Sequence, residues 1–291
     1  MNWFEAIILG IVEGITEFLP VSSTGHLTIT EKLLGMEIDS IDVTAFTAII
    51  QIGAIIAAIV YFRRDIARLA VGWFKGLFHA DQRGTDYRLG WAVILGSIPI
   101  GLIGLLFHDV IETTLRSLWV VAAALIGWSI VLWVADRYSA KLSRTGGRRD
   151  PGHSGLRDEQ SLSVVDAIII GLVQCLALIP GVSRSGATIS AGLLRGIDRT
   201  TATRWSFFLG IPALAISGIY QAASNVDAIS TGVGWLPTAI ATVVSFFVAY
   251  ASIAWLLRFV ASNRFTAFII YRVALGLVIV ALLLFGVISA V

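Results

Sequence analysis

Between Asp42 and Arg63 the chain runs for 20 residues without a charge. A helix of that length covers the roughly 30 Å hydrocarbon core of a bilayer. Similar stretches recur at 89–107, 117–135 and 205–226, within 228–257, and at 273–291. Six such runs predict an all-α polytopic membrane protein. The 291-residue composition agrees, with 57% hydrophobic and only 14% charged residues, and disfavours a soluble protein with buried helices. A net charge of +2 is too small to point to nucleic acid. Cys175 is the only cysteine, so no intrachain disulfide can form.

Two apolar segments are broken rather than continuous. Residues 3–19 end at Pro20, and Gly25 interrupts the run that follows to Leu34. This first segment lacks a basic leader and carries Glu5, Glu13 and Glu17, so it does not read as a cleaved signal peptide. Residues 167–183 are uncharged but broken by Pro180-Gly181, and helical sequence resumes after Gly186. Each segment reads as a re-entrant helical hairpin. Irregular backbone at membrane depth is tolerated only where protein or a wet cavity covers it.

Basic residues mark cytoplasmic connections. Arg63 to Arg88, the polar stretch 136–163, Arg195 to Arg204 and Arg258 to Arg272 are therefore expected inside. The connections 108–116 and 227–234, and the acidic run Glu37, Asp39, Asp42, are expected outside. These assignments require 164–194 to enter and leave on the cytoplasmic side, and 1–42 to begin and end outside. Six full transmembrane helices and two oppositely oriented re-entrant hairpins satisfy them, with both termini extracytoplasmic.

An internal repeat fits the same scheme. Shifted by 161 residues, Glu5–Glu13 aligns with Asp166–Gln174, and Val21–Gly25 with Val182–Gly186. With one hairpin on each side, the repeat is of inverted topology, a pattern whose broken helices often line a midplane site. The expected organisation is a single integral membrane domain over 1–291, with repeat halves near 1–107 and 164–257. A helix at 117–135, a cytoplasmic loop at 136–163 and a C-terminal helix at 273–291 are additional. The loop could include a short continuation of the preceding helix.

The chemistry concentrates in the two breaks. Glu13 and Glu17 are four residues apart and share a helix face. Such a pair can hold a divalent cation or act as acid and base, or simply pair with an arginine. Ser22, Ser23, Thr24 and His26 follow, offering hydroxyls and an imidazole suited to nucleophilic or base chemistry, although one hydroxyl is expected to serve only as a helix cap. In the second break, Arg184 supplies a planar donor fork suited to phosphate, with Ser183, Ser185 and Thr188 as further donors. An ion pair between Arg184 and Glu13 or Glu17 is the plainer reading. Gln51 and Gln174 are lone amides in apolar helices that could line the site or join helices.

Glu13–His26, with the pattern Glu-Gly-Ile-Thr-Glu-Phe-Leu-Pro-Val-Ser-Ser-Thr-Gly-His, resembles the glutamate-rich motif of the undecaprenyl-diphosphate phosphatase, or bacitracin-resistance protein, family. Pro180–Thr188 resembles that family's second motif, Pro-Gly-x-Ser-Arg-Ser-x-x-Thr. The resemblance implies removal of the terminal phosphate from undecaprenyl diphosphate, recycling the lipid carrier for bacterial cell-wall synthesis and conferring bacitracin resistance. It implies catalytic roles for Glu13, Glu17, Ser23, His26 and Arg184, and dependence on a divalent cation, Mg²⁺ or Ca²⁺, for which Glu13 and Glu17 are the candidate ligands. Ser22, Thr24, Ser183, Ser185, Thr188 and Gln51 are candidate substrate contacts. The implied location is the bacterial plasma membrane, with the site on its outer side. The implied partners are the bilayer and a polyprenyl diphosphate lipid, for which bacitracin competes indirectly by sequestering it. Homo-oligomerisation stays open, as does the nucleophile: Ser23, His26 or water. A transporter or flippase, or a membrane scaffold, are the rival classes; release of inorganic phosphate separates them.

Overall fold

The computed structural model describes residues 1–38, 40–107, 117–149 and 155–290, the side chains of 146–149 excepted. Among the described residues, six helices are long and apolar enough to cross a membrane. They are α3 (Ile41–Tyr61), α5 (Thr85–Leu106), α6 (Leu118–Arg149), α9 (Arg199–Ser224), α11 (Trp235–Ser262) and α12 (Thr266–Leu284). Between them lie the shorter α1 (Trp3–Thr16), α2 (Ser23–Leu33), α4 (Arg63–Phe78), α7 (Val164–Gln174), α8 (Arg184–Leu194) and α10 (Val226–Thr231). The chain is an all-α polytopic membrane protein.

The two broken segments form helix pairs, α1 with α2 and α7 with α8, each joined by a short irregular stretch. Their packing depends on small residues. Gly10 and Gly14 of α1 lie against the α11 backbone near Ala241 and Ser245. Gly171 of α7 crosses α5 at Gly96, so closely that a Cβ there would run into the Gly96 carbonyl. Without a hydrophobic drive between helices in lipid, such close approach supplies the van der Waals contact that holds them. A core of Phe18, Phe62, Trp205, Phe207 and Phe208 fills the space between α1, α3 and α9.

Three boundaries differ from the sequence expectation. The basic connection after Arg63 is largely helical: Ile66, Leu69 and Trp73 recur at helical spacing, and α4 lays them beside α5 and α9. Charge counting overlooked this amphipathic pattern. The loop expected from 136 is helical as far as Arg149, so α6 has 32 residues. Asp136, on that extension, accepts from Arg199 Nε at 2.7 Å, tying α6 to the start of α9. Finally, the C-terminal helix begins at Thr266, not 273, and Arg272 is a fully buried residue inside it rather than part of a basic connection. The expected outer connection 108–116, residues 150–154 of the expected loop, and Asp39 lie outside the described residues.

The polar segments converge on one end of the bundle. Asp166 accepts from Arg157 at 2.6 Å and from Arg195 at 2.8 Å, and is part of a capping box with Ser163. Arg204 pairs with Asp65 at 3.0 Å, and Glu159 accepts from Arg68. Elsewhere, Lys32 donates to the Ser289 carbonyl at 2.9 Å and the Leu118 amide to that of Ala290 at 2.8 Å. The Gly171–Gly96 crossing yields a test. Gly171→Ala should destabilise the protein by about 1–3 kcal/mol through overpacking; an unchanged thermal unfolding midpoint in detergent would contradict the crossing.

Candidate active site

The site is built by the two turns. Both turns contain a serine in the left-handed region, Ser22 and Ser183, each with φ of 76°. They are 161 residues apart, the offset of the repeat. Non-glycine residues are uncommon there, at a cost of about 1–3 kcal/mol. Each serine recovers part of it as a helix cap: Ser22 Oγ accepts from the Gly25 amide at 3.4 Å and Ser183 Oγ from that of Gly186 at 3.1 Å. The next residue opens the following helix. In one copy it is Ser23, in the other Arg184.

Those two residues converge on Glu17. Ser23 Oγ donates to Glu17 Oε2 at 2.6 Å, and Gln51 Nε2 donates to the same oxygen at 3.2 Å. Arg184 Nη2 reaches Glu17 Oε1 at 3.3 Å, with both side chains at most 9% exposed. The other arm of the guanidinium donates to the Ser206 carbonyl at 2.8 Å. Its face lies 6.0 Å from the Phe18 ring centroid. The geometry joins four of the sequence candidates, Glu17, Ser23, Gln51 and Arg184, in one connected network. The Glu17–Arg184 ion pair is the plainer reading of the arginine, and it places the guanidinium beside the hydroxyl as well.

A cavity of about 340 Å³ opens beside this network, lined by Glu13, Ser23, Thr24, Glu31, Gln51 and Pro180 among others. Glu13 is 1% exposed, and its Oε1 has no hydrogen-bond partner among the described residues. Thr47 Oγ1 donates to Glu31 at 2.9 Å. A cavity lined by carboxylates and hydroxyls among apolar helices is suited to a charged group handled by fixed polar partners.

The remaining candidates are placed differently. His26 faces away from the carboxylates. Its Nδ1 lies 2.7 Å from the Ser22 carbonyl, so the neutral ring carries its proton there, and Nε2 accepts from Tyr271 Oη at 2.7 Å. The two rings stack at 13°. Ser185 Oγ is 3.1 Å from Ser183 Oγ and donates to the Leu19 carbonyl at 2.9 Å, joining one turn to the other. Thr188 Oγ1 donates to the Arg184 carbonyl at 2.9 Å. Gln174 is buried with neither amide atom bonded among the described residues. Glu13 and Glu17 offer hard oxygen ligands of the kind Mg²⁺ and Ca²⁺ take. No group of three or more His, Cys, Asp or Glu residues suited to a metal occurs among the described residues.

Residues 6–278 match the family described as bacitracin resistance protein BacA. The chain belongs to this family. It is 59% identical to an undecaprenyl-diphosphatase of Cutibacterium acnes, over the whole of both chains. It is 56% identical to undecaprenyl-diphosphatase 3 of Frankia casuarinae and 54% identical to an undecaprenyl-diphosphatase of Acidothermus cellulolyticus, again over all of both chains.

Two features of this BacA family member escaped the motif reading. Gly210 lies under Arg184, where a Cβ would overlap the guanidinium. It was hidden because its partner is on another helix. Arg272 did carry a signal, as the only charge within Thr266–Leu284, and a lone intramembrane charge is a functional flag. The link between turns also gives a prediction. Ser185→Ala removes the bond that ties the second turn to the Leu19 carbonyl, which keeps the Val21 amide as its donor, and should cost about 0.5–1.5 kcal/mol of stability, read as a lower unfolding midpoint.

Proposed function

We propose that this chain hydrolyses undecaprenyl diphosphate to undecaprenyl phosphate and inorganic phosphate, recycling the lipid carrier for bacterial cell-wall synthesis and thereby conferring bacitracin resistance. The observation that carries the reading is the Ser23 hydroxyl donating at 2.6 Å to Glu17, a carboxylate already paired with Arg184. Ser23 lines the cavity and Glu17 and Arg184 are bonded behind it, so a nucleophile, a base and an anion-binding cation would act together there. Full-length relatives bearing that enzyme name support the same substrate.

In this reading the diphosphate enters the cavity and Arg184 turns from Glu17 towards the terminal phosphoryl group. Glu17 takes the proton of Ser23 as Oγ attacks the terminal phosphorus. The bond from phosphorus to the bridging oxygen breaks, Glu17 passes its proton to that oxygen, and undecaprenyl phosphate leaves. Water then attacks the phosphoserine as Glu17 takes its proton, the bond from phosphorus to Ser23 Oγ breaks, and Glu17 returns the proton to Ser23 as phosphate is released. Charge stabilisation and positioning are the main work in such transfers, and in this reading the Arg184 fork supplies both. His26, held by Tyr271, is assigned to keeping the Ser22 turn in place.

A divalent cation, Mg²⁺ or Ca²⁺, suits Glu13 and Glu17, because Glu13 keeps a buried oxygen without a partner among the described residues. Two carboxylates leave other coordination positions to substrate oxygens and water, a common arrangement for Mg²⁺. When bound, the cation would neutralise diphosphate charge. The polyprenyl tail would lie in a lipid-facing groove, for which the apolar depression between Ile15, Leu19, Phe247 and Trp255 is a candidate.

The same reading makes the helix pairs re-entrant hairpins of opposite orientation within an inverted repeat of halves 1–107 and 164–257. The matched left-handed serines support the repeat. The meeting of 63–88, 155–163 and 195–204 through ion pairs and hydrogen bonds supports a shared cytoplasmic side. Both termini and the site then face outward across the plasma membrane.

Phosphate release from a C55 isoprenyl diphosphate in detergent tests the proposal. Arg184→Ala should lower kcat/KM by about 10²–10³-fold with the fold assembled. Ser23→Ala and Glu17→Ala should be at least comparable, and EDTA should abolish turnover. Near-normal release by assembled Ser23→Ala would remove the serine route. Phosphate trapped on Ser23, located by mass spectrometry, would establish it. For orientation, cysteines placed at Ser40 or Ser230 in a Cys175→Ser background should react from outside; labelling from the cytoplasm would overturn the topology.

A further inference from the structure

Arg272 lies in α12, outside both repeat halves, and is 0% exposed. Its guanidinium spreads over the two turns. Nη1 donates to the Pro20 carbonyl at 3.1 Å, and Nη2 to the carbonyls of Gly181 at 2.9 Å and Val182 at 3.1 Å. Nε donates to Ser129 Oγ on α6 at 3.2 Å, and that hydroxyl is itself fixed by donation to the Leu125 carbonyl at 2.6 Å. Pro20 and Gly181 are 161 residues apart, so the two arms of one fork grip equivalent carbonyls of the two copies. Among the described residues no carboxylate pairs with Arg272. A buried cation is costly unless it is well hydrogen-bonded; here carbonyls from both turns do that work.

We propose that Arg272 is a positioning residue for the reaction: it clamps the two turns at the offset that brings Ser23 and Arg184 onto Glu17. Pro20 lies three residues before Ser23, and Val182 lies two before Arg184, so movement at the clamp is passed directly to both groups. The adjacent Tyr271 adds a second tie, from α12 to His26 at 2.7 Å. A planar fork can bond separated carbonyls at once, whereas an ammonium on a flexible stem cannot reproduce that geometry. Arg272 bonds the turn carbonyls and Ser129 while Arg184 pairs with Glu17, which separates their roles.

This inference deepens the phosphatase reading and rests on it for its kinetic arm. Arg272→Lys tests it in the full-length protein in detergent, by hydrogen–deuterium exchange and by phosphate release from C55 isoprenyl diphosphate. The expected result is a preserved elution profile, with a lower unfolding midpoint and faster exchange in both 18–23 and 179–184. kcat should fall about tenfold or more while KM stays within about threefold. Wild-type kcat in an assembled variant, or unchanged exchange in either turn, overturns the proposal. If the wild-type protein releases no phosphate, the phosphatase reading fails, and exchange at the two turns still decides the clamp. If Arg272→Lys does not assemble, Ser129→Ala, which removes only the Nε partner, is judged by the same signs: faster exchange in both turns and a smaller kcat fall support the clamp, and wild-type values refute it.

Discussion

The ion pair between Glu17 and Arg184 is nearly sealed from solvent and joins two helix breaks that are far apart in the chain. Removing one partner of such a pair leaves a charge stranded, at a cost of about 3–5 kcal/mol. The surrounding structure is arranged to meet that demand. Ser23 and Gln51 hydrogen-bond the carboxylate, the Ser206 carbonyl takes the second arm of the guanidinium, and Phe18 covers its face. Glycine at 210 leaves room for the arginine to lie across α9. The pair therefore fixes which helices approach one another as much as it prepares a charge for chemistry.

Backbone geometry is shared by the two turns, while their chemistry is divided. Ser22 and Ser183 adopt the same unusual φ and perform the same capping. The next position carries a hydroxyl in one copy and a guanidinium in the other. The preceding helices diverge likewise, since Glu13 corresponds to Gln174. The first turn thus carries carboxylates and a hydroxyl, and the second carries the positive charge. Neither break could neutralise itself alone.

Much of this was legible in the chain because charge is so rare in it. Charge-free runs located six long helices, and carboxylates and an arginine beside proline and glycine breaks marked the residues that meet. Other features depended on tertiary context. Arg272 follows Arg258 and Arg264 and reads as another connecting cation until α12 is seen to begin before it. The direction of His26 is set by Tyr271, 245 residues away, and no local pattern encodes that contact. The α4 helix and the extension of α6 were concealed because counting charges weighs composition and ignores the spacing of apolar residues among the basic ones.

That extension of α6 has a mechanical consequence. At 1.5 Å per residue, its 32 residues make a rod of about 48 Å, against roughly 30 Å of hydrocarbon. Even at ordinary tilts the rod is longer than the acyl layer is thick, and Lys141 and Arg144 lie on its later part. The Asp136–Arg199 bond fastens the rod to α9 where it leaves the apolar zone. Attraction between those basic side chains and anionic headgroups would then act on a stiff lever rather than a slack tether.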